Sequence, residues 1–279
     1  SALGQIGGPS YIVKVADHYA YLGSGFRLQI LDIANQAAPV LVGQTPVLPD
    51  IVRNLQVVGS LVFIALGDGG LYIYDASNPR DPQLVGSFDT AGFALGVSVV
   101  GSLAYVADYT SLQIVDVSNL AAPGLLSVFT TGNAIQNVTI SGNLAFLSEG
   151  ACISIGCSGV LEIVDVSNPL SPQVRGRHQT AFPSYMRDVQ VYGNLIYVAD
   201  GEVGLQILDV SNPDAPQLRG TYNTPGFASS VSISGALAYV ADGRAGLQLI
   251  DVRDPVSPTL SGFFYTPRAA ASVFVVGGV

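Results

Sequence analysis

Charged residues are scarce in this chain, and their scarcity limits the architectures that it can adopt. Asp, Glu, Lys and Arg make up only 11% of its 279 residues, and hydrophobic residues make up 49%. Typical soluble domains carry about 25% charged residues. A sandwich with one solvated face per sheet would show a cleaner alternation of polar and apolar residues. The composition therefore favours an architecture whose strands are buried on both faces.

Histidine is nearly absent, which removes the usual catalytic base. Only His18 and His178 occur in the chain. No Ser-His-Asp triad, glycine-rich phosphate loop or histidine metal cluster can be assembled from the sequence. We therefore expect a protein that is not an enzyme, with no catalytic residue, no metal site and no cofactor. A hydrolase or lyase that works through carboxylates is the least favoured alternative.

Long uninterrupted apolar stretches are also lacking. The longest segment without a charged residue, 117–148, is interrupted by asparagine, glycine and proline, whereas a membrane-spanning helix needs about 20 mostly apolar residues. Membrane insertion is therefore not expected. No signal peptide is visible and the chain begins with Ser1 rather than Met, so we expect an N-terminus that has been processed, trimmed or omitted.

Positive charge is in the minority, because 11 basic residues face 20 acidic ones and the net charge is −9. This balance repels a phosphate backbone, and the sequence contains no basic stripe. Nucleic acid is therefore not expected as a partner. The partner classes that stay open are a protein and a surface glycan.

Cysteine occurs only twice, as Cys152 and Cys157 in the segment CISIGC. Such a pair could be half of a metal site, but the chain has no other cysteine and only two histidines. A local disulfide that pins a loop is the favoured interpretation, with free thiols or a metal as the alternatives. A disulfide points to an oxidising compartment, so we expect an extracytoplasmic protein that is secreted, periplasmic or on the cell surface.

An aspartate that ends a short apolar run recurs along the whole chain. It occurs at six positions: Asp32, Asp75, Asp116, Asp165, Asp209 and Asp251. The spacings are 43, 41, 49, 44 and 42 residues, and the long third interval contains CISIGC. We expect the extra residues of that interval to form an inserted loop. Self-similarity at a fixed period is the sequence signature of a repeat architecture.

Each repeat contains four short runs rich in Val, Ile, Leu and Tyr, which predict four β-strands, here called a, b, c and d. Gly-Asn or Gly-Ser separates strand a from strand b in most repeats, and Ser-Asn-Pro typically follows strand c. Both are turn sequences. Four strands in a period of about 42 residues are typical of one β-propeller blade. Blades pack face to face, so their strands are buried on both sides, as the composition requires.

The two ends of the chain bear on the number of blades. Residues 2–7 resemble a strand d, residues 271–278 resemble a strand a, and six complete repeats lie between them. We therefore expect an all-β propeller of four-stranded antiparallel blades, with seven blades favoured and six blades as the alternative. The chain, 1–279, is interpreted as a single propeller domain and as a segment of a longer native chain.

The repeat motif resembles that of a known family. Residues 112–119, LQIVDVSN, and 161–169, LEIVDVSNP, resemble the LVIVD repeat of bacterial and archaeal surface proteins, and the LAYVAD strands at 103–108 and 237–242 strengthen the resemblance. The resemblance covers about the whole chain. It implies a β-propeller that is usually extracytoplasmic and often one module of a larger anchored protein. It implies no catalytic residue, because the motif is structural.

Candidate binding residues come from positions that vary between repeats. The start of strand a differs from one repeat to the next, and in a propeller this position borders the central channel. The polar candidates are Arg53, Asn54, Asn137, Arg187 and Asp188, and the nearby loops offer Phe93, Phe182, Tyr185 and Phe227. Apolar surface beside a few polar groups is typical of ligand sites. A solvated channel mouth that binds nothing is the alternative.

The acidic residues that recur are interpreted as structural. The six strand-c aspartates are expected to accept backbone N–H bonds in the turn that follows them, because a catalytic acid needs one special environment rather than six equal ones. A second series at the end of strand b is expected to serve hairpin turns. Its members are Asp108, Glu149, Asp200 and Asp242.

These features favour a non-catalytic binding or interaction module of an extracytoplasmic or cell-surface protein. The alternative is a structural subunit of a surface assembly, in which a partner chain or further domains of the same polypeptide supply missing strands. A ligand at the channel mouth would favour the first function, and extensive apolar contact between chains would favour the second.

Overall fold

The computed structural model describes residues 11–153, 156–180 and 183–276, and of residues 151–153 and 156 it describes the backbone alone. The regular structure within these ranges consists of 24 β-strands. Within these ranges, no helix is long and apolar enough to cross a membrane. The chain divides into two compact units, Ser1–Val128 and Phe129–Val279.

The first unit holds three four-stranded antiparallel sheets, and the strands of each sheet pair in chain order. We call them the first, second and third blades. Their strands are β1 (Ile12–Ala16), β2 (Tyr19–Ser24), β3 (Arg27–Asp32) and β4 (Val40–Gln44); β5 (Asn54–Val58), β6 (Leu61–Ala65), β7 (Leu71–Asp75) and β8 (Gln83–Phe88); and β9 (Ala94–Val100), β10 (Leu103–Asp108), β11 (Ser111–Asp116) and β12 (Gly124–Thr130).

The second unit holds the fourth, fifth and sixth blades, built in the same way. Their strands are β13 (Ala134–Ser141), β14 (Leu144–Ile153), β15 (Gly156–Asp165) and β16 (Gln173–Thr180); β17 (Met186–Tyr192), β18 (Leu195–Asp200), β19 (Gly204–Asp209) and β20 (Gln217–Tyr222); and β21 (Ser230–Ser234), β22 (Leu237–Ala241), β23 (Leu247–Asp251) and β24 (Thr259–Phe264). The prediction that each repeat forms one four-stranded antiparallel blade is confirmed.

Turn residues end each strand for identifiable reasons. Gly193 has φ of 61° in the turn between β17 and β18, a conformation that favours glycine. After strand c, Asp209 Oδ1 accepts a hydrogen bond from Ser211 N at 2.8 Å. Arg219 and Ser211 together lower the pKa of Asp209 to about 2. The other five strand-c aspartates accept the same backbone bond, which confirms their structural role.

Neighbouring blades within each unit share an apolar core. In the second unit, Tyr197, Leu205 and Ile207 of the fifth blade pack with Val231 and Ile250 of the sixth. Each of these five side chains is at most 4% exposed. A fully buried side chain of this size contributes about 1.5–3 kcal/mol relative to an exposed one. Blade-to-blade packing therefore contributes several kcal/mol to stability, at about 1.5–3 kcal/mol for each such side chain.

A glycine of strand d marks a second contact between neighbouring blades. A Cβ atom built on Gly220 of β20 would overlap the carbonyl oxygen of Pro255, in the turn after strand c of the sixth blade. The same overlap occurs in three other pairs: Gly43 with Pro79, Gly86 with Leu120, and Gly176 with Pro213. Each glycine is thus a socket for the turn of the following blade, because no larger residue leaves room for the carbonyl group.

Polar side chains of strand a connect neighbouring blades through the backbone. Gln56 Oε1 accepts a hydrogen bond from Val99 N at 2.7 Å in the first unit. In the second unit, Gln190 Oε1 accepts one from Ile233 N at 2.9 Å. In both pairs the side chain replaces the missing ladder partner of an edge strand, which satisfies a backbone donor that would otherwise be costly to bury.

The expectation of a seventh blade is wrong for the described part of the chain, which forms six four-stranded blades. Residues 271–276, predicted as a further strand a, are not in a strand. Val273 N and Val275 N nevertheless donate to the hydroxyls of Ser230 and Ser232, at 3.4 and 3.1 Å. The apolar pattern therefore marks a segment that packs beside β21 and has no strand pairing of its own. Residues 2–7, predicted as a strand d, lie outside the described residues.

The insertion in the fourth repeat is also not a simple loop. Its residues lengthen β14 and β15 to ten residues each, and the pairing continues to Ile153 and Gly156. Cys152 and Cys157 are direct backbone partners in this register. The alternating apolar residues of the segment continue the strands on both sides. The disulfide stays a prediction, which thiol labelling of the unreduced, denatured protein can check.

Candidate functional site

A cleft of about 410 Å³ lies in the second unit, beside the start of β17. Its lining residues are Cys157, Pro183, Ser184, Tyr185, Arg187, Glu202 and Phe227. Three of the residues predicted for ligand binding, Tyr185, Arg187 and Phe227, therefore line the same cleft. Phe182, predicted for the same role, lies outside the described residues.

Tyr185 forms one side of the cleft, and a buried carboxylate holds its backbone. Asp200, at the end of β18, accepts hydrogen bonds from Tyr185 N at 2.8 Å and from the Ser184 hydroxyl at 2.7 Å. Burial raises the pKa of Asp200, and these bonds oppose that rise. The Tyr185 ring covers Gly150, where a Cβ atom would overlap it. The ring position is therefore fixed from both ends.

Phe227 also lines the cleft. Its ring lies against Gly201, where an added Cβ atom would be 3.0 Å from the ring. Ala228, the next residue, forms an antiparallel bridge with Gly201. The Phe227 side chain is 38% exposed. An aromatic ring that is held by the backbone and still reaches solvent offers apolar contact area at little cost in conformational entropy.

Arg187 lines the cleft together with these two rings, and its side chain is exposed. Its Cζ atom lies 5.5 Å from the centroid of the Tyr185 ring. Its Nη1 donates to Gln136 Oε1 at 3.3 Å, a long hydrogen bond. Within the described ranges Arg187 forms no ion pair, in contrast to four other arginines. Those four are Arg175, Arg177, Arg219 and Arg253.

Asn137 and Asp188 are adjacent, as predicted, but their hydrogen bonds join strands. Asn137 Nδ2 donates to Asp188 Oδ1 at 2.7 Å. Asp188 Oδ2 accepts from Val231 N at 3.0 Å, and Asp188 Oδ1 also accepts from Val189 N at 2.9 Å. These bonds connect β13, β17 and β21. Asn137 and Asp188 therefore hold neighbouring strands together and do not line the cleft.

The first unit contains a related pair. Arg53, at the same repeat position as Arg187, has its Cζ atom 4.9 Å from the centroid of the Phe93 ring. Its Nε atom is buried without a hydrogen-bond partner among the described residues. Asn54 begins β5 immediately after it. Arg53, Asn54 and Phe93 thus form a local cluster of their own unit, and a guanidinium stacked on an aromatic ring occurs in both units.

The carboxylates that end strand b are more than hairpin residues. Asp108 accepts hydrogen bonds from the Thr90 hydroxyl and from Gln113 Nε2, both at 2.7 Å. Asp200 has Ser184 and Gln206 as the corresponding partners. These clasps connect the end of strand b to strand c and to the loop before strand a. Sequence reasoning missed them, although a glutamine occupies the same strand-c position in four of the six repeats, as Gln29, Gln113, Gln206 and Gln248.

The fourth blade departs from this pattern with a pair of glutamates. Glu149 and Glu162 are both completely buried. Glu149 Oε2 accepts from Asn133 Nδ2 at 2.9 Å, and Glu162 Oε1 accepts from Arg177 Nε at 2.6 Å. The other oxygen of each carboxyl has no partner among the described residues. Burial, opposed by the Asn133 bond and aided by Glu162, raises the pKa of Glu149 to about 8. One proton between the carboxyls would satisfy both oxygens.

The chemistry available in the cleft is recognition. A guanidinium with free donors can bind a carboxylate or another planar anion in a bidentate manner. The flanking rings of Tyr185 and Phe227 can cover an apolar or ring-shaped group beside that anion. Glu202, which sequence reasoning also missed, adds an acceptor at the rim. The described residues contain no group of three potential metal ligands.

Comparison with protein families and curated proteins identifies the repeat. The family model described as "LVIVD repeat" matches residues 7–46, 51–90, 91–131, 132–180, 183–224 and 225–266. These matches coincide with the six blades. No curated protein matches the chain in sequence.

Solved structures resemble the chain in fold at low sequence identity. A protein from Lactobacillus plantarum has a TM-score of 0.80 at 13% identity, covering 94% of this chain and 86% of that one. The Cps50 (Swd1) β-propeller domain of Myceliophteria thermophila has 0.75 at 11%, covering 95% and 88%. The Pan2 WD40 domain of Neurospora crassa has 0.70 at 13%, covering 93% and 80%. This likeness shows the β-propeller fold alone.

Proposed function

We propose that this chain, which belongs to the LVIVD-repeat family, is a non-catalytic binding module of an extracytoplasmic protein. The observation that carries the proposal is the cleft beside β17, in which Arg187 has no ion pair within the described ranges and lies beside two aromatic rings. The chain has only 11 basic residues against 20 acidic ones, and Arg187 presents one of these few cations in a cleft beside two aromatic rings. An anion from outside the chain is the partner that this geometry supports.

The proposed ligand is a carboxylate-bearing group on a protein or on a surface glycan. A planar carboxylate matches the guanidinium fork, and the adjacent ring or side chain of the ligand would lie between Tyr185 and Phe227. The cleft volume of about 410 Å³ suits one residue or one sugar unit with its neighbours in solvent. The hydrogen bond from Tyr185 N to the buried Asp200 carboxylate supports this function, because it fixes the backbone of one cleft residue before a ligand binds.

The test compares Arg187→Ala and Arg187→Lys with the unaltered protein on arrays of acidic peptides and uronic-acid glycans. Arg187→Ala should raise Kd for the best ligand at least about tenfold, equivalent to about 1.4 kcal/mol. Arg187→Lys should recover only part of the affinity, because lysine keeps the charge and loses the bidentate geometry. The matched control is Arg80→Ala, which removes an exposed arginine from the first unit. Equal loss in the control, or none in Arg187→Ala with an unchanged thermal melt, would refute the site.

A second candidate function is a structural subunit of a surface assembly. Partly exposed apolar side chains on the sixth blade favour it, since such surface is suited to contact between chains.

A further inference from the structure

A second cleft lies in the first unit, between the first and second blades. Its volume is about 660 Å³, against about 410 Å³ for the cleft beside β17. One wall is the segment 44–49, which leaves β4, together with Arg27 of β3. The other wall is formed by Tyr72 and Tyr74 of β7 and by residues 81–84, at the turn into β8. Every lining residue belongs to the first unit and lies in the described part of the chain, and we call this cleft the inter-blade groove.

The connection between the first and second blades provides the first wall, and it is the longest connection of its kind. β4 ends at Gln44 and β5 begins at Asn54, so nine residues lie between them, against three to seven between the other consecutive blades. Pro46 and Pro49 of this connection line the groove. Proline fixes its own φ angle and has no N–H donor, so this wall is conformationally restricted and offers mainly apolar surface.

Hydrogen bonds and one buried side chain hold the first wall in place. Leu48 is 4% exposed and packs in the core that the first two blades share, and its N–H donates to Phe26 O at 2.8 Å. Arg27 Nη1 donates to Thr45 O at 2.6 Å. Val47, between Thr45 and Leu48, is 65% exposed. The groove therefore presents Val47 to solvent on a backbone that is already positioned, which reduces the entropy lost on binding.

Tyr72 is the part of the second wall that departs from the repeat. At this position of strand c the other blades have glutamine or glutamate: Gln29, Gln113, Glu162, Gln206 and Gln248. Gln113 donates to the carboxylate of Asp108 at the end of strand b, whereas the second blade has Leu66 at that end. With no carboxylate to bind, position 72 carries a partly exposed aromatic ring that packs on the shared core and lines the groove.

Two side chains of opposite charge, Arg27 and Asp81, line the groove without an ion pair between them. Arg27 takes part in none of the ion pairs of the described residues, which involve Arg175, Arg177, Arg219 and Arg253. Asp81 is exposed, and within the same ranges its carboxylate accepts no hydrogen bond. A ligand that carries both signs of charge matches this pair. A protein segment meets this requirement, whereas an acidic glycan would bring its carboxylates close to Asp81.

We propose that the inter-blade groove binds an extended, proline-containing segment of a partner protein, with an acidic residue of the segment at Arg27 and a basic residue at Asp81. Grooves lined by aromatic rings recognise proline-rich segments, because the polyproline II conformation is formed before binding and little entropy is lost. Tyr72 supplies the aromatic ring and Val47 further apolar surface. The volume, larger than that of the cleft beside β17, suits a run of several residues. The two sites are separate, so the two proposals can fail independently.

The test screens an array of short proline-containing peptides, each with one acidic and one basic residue in varied order. Fluorescence polarisation then measures Kd of the best peptide for the full chain. Tyr72→Ala should raise this Kd at least about tenfold, because truncation of an aromatic contact residue has a large effect on binding. The matched control is Tyr192→Ala, which truncates a 56% exposed tyrosine of the second unit and should leave Kd unchanged. Because Tyr72 also packs on the core, a thermal melt checks that the variant is folded.

A charge reversal at an exposed residue tests the same groove without altering the core. Asp81→Lys should raise Kd of the best peptide about tenfold, and replacing the basic residue of that peptide by glutamate should restore most of the affinity. The matched control is Ala215→Lys, which places the same charge at the equivalent turn position of the fifth blade and should have no effect.

Three outcomes would overturn the proposal: an array without a binding peptide, an affinity that survives either substitution in a folded protein, or binding of uronic-acid glycans in place of peptides. A best peptide whose affinity falls in Arg187→Ala and not in Tyr72→Ala would belong to the cleft beside β17. That result would overturn the inter-blade site and leave the proposed function intact.

Discussion

The fifth and sixth blades present nearly the same residues in different surroundings. Strand c reads GLQIL in the fifth blade and GLQLI in the sixth. Leu205 of the fifth blade is completely buried by the sixth, whereas Leu247, its counterpart, is partly exposed. The repeat sequence therefore provides each blade with the same apolar side chains, and the neighbouring blade determines whether those side chains are buried. The contribution of a blade interface can therefore be measured as the difference in free energy of unfolding between matched substitutions in the two blades.

The largest difference is expected between Leu205→Ala and Leu247→Ala. Truncation of a completely buried leucine typically costs about 2–5 kcal/mol, because the lost transfer free energy and the cavity add. At Leu247 the loss should be about 1 kcal/mol or less, because the side chain is only partly removed from solvent. Urea unfolding monitored by circular dichroism measures the loss of unfolding free energy for both variants. Equal losses at the two positions would mean that the sixth blade is covered in solution.

A second pair sharpens the comparison through added volume. Gly220→Ala should lower the free energy of unfolding by about 1–3 kcal/mol, because the new methyl group overlaps the Pro255 carbonyl and forces the blades apart. Gly262→Ala should be neutral or slightly stabilising, because its surroundings are open and alanine restricts the unfolded chain. Thermal melts at low protein concentration measure both. A destabilised Gly262→Ala would contradict the open surroundings that the described residues leave at this position.

The fourth blade offers the opposite case, in which burial costs stability. The pKa of Glu149 is raised from 4.5 to about 8, so the folded state keeps a proton that the unfolded state loses between these values. The stability contributed by this group is therefore complete below about pH 4.5 and is lost as the pH rises towards 8. Glu149→Gln, which mimics the protonated carboxyl, should raise stability at pH 8 by about 1–2 kcal/mol.

Thermal melts at pH 5 and pH 8 check this prediction. Glu202→Gln is the control, because Glu202 is exposed and its removal should leave the pH dependence unchanged. If Glu149→Gln retains the full loss of stability between the two pH values, the shared proton is not at this pair. If it instead destabilises the protein at both, the ionised carboxylate is the stabilising form.

The repeats were predictable because each carries its own turn chemistry. The Asp-marked runs, the Gly-Asn turns and the Ser-Asn-Pro segments specify strand ends locally, so the blades follow from sequence alone. Arg187 and Phe227 line the same cleft; the sequence marks Arg187 as a variable residue at the start of strand a and Phe227 as a residue of a nearby loop. The hydrogen bonds that Asp108 accepts from Thr90 and Gln113 could not be predicted from the sequence, because these partners are 18 and 5 residues away from the carboxylate.

The exposed and buried faces were beyond prediction for a different reason. Leu205 and Leu247 lie in the same motif, so no local pattern separates them, and only the neighbouring blade does. The seventh blade was wrongly predicted on the same ground, since residues 271–276 have the apolar pattern of a strand a but form no strand. The sequence likewise predicts a loop for the inserted segment of the fourth blade, whereas the pairing of β14 with β15 continues into it.

The backbone bonds between neighbouring blades also have a consequence for how the chain folds. Gln56 with Val99 and Gln190 with Ile233, in which a side chain bonds to the backbone of the next blade, join residues separated by 43 positions. Each contact closes a loop of one repeat, and chains whose contacts span a small part of their length fold comparatively fast. Every repeat can dock as soon as the one before it has formed, so the protein can fold progressively during synthesis, starting from its N-terminal repeats.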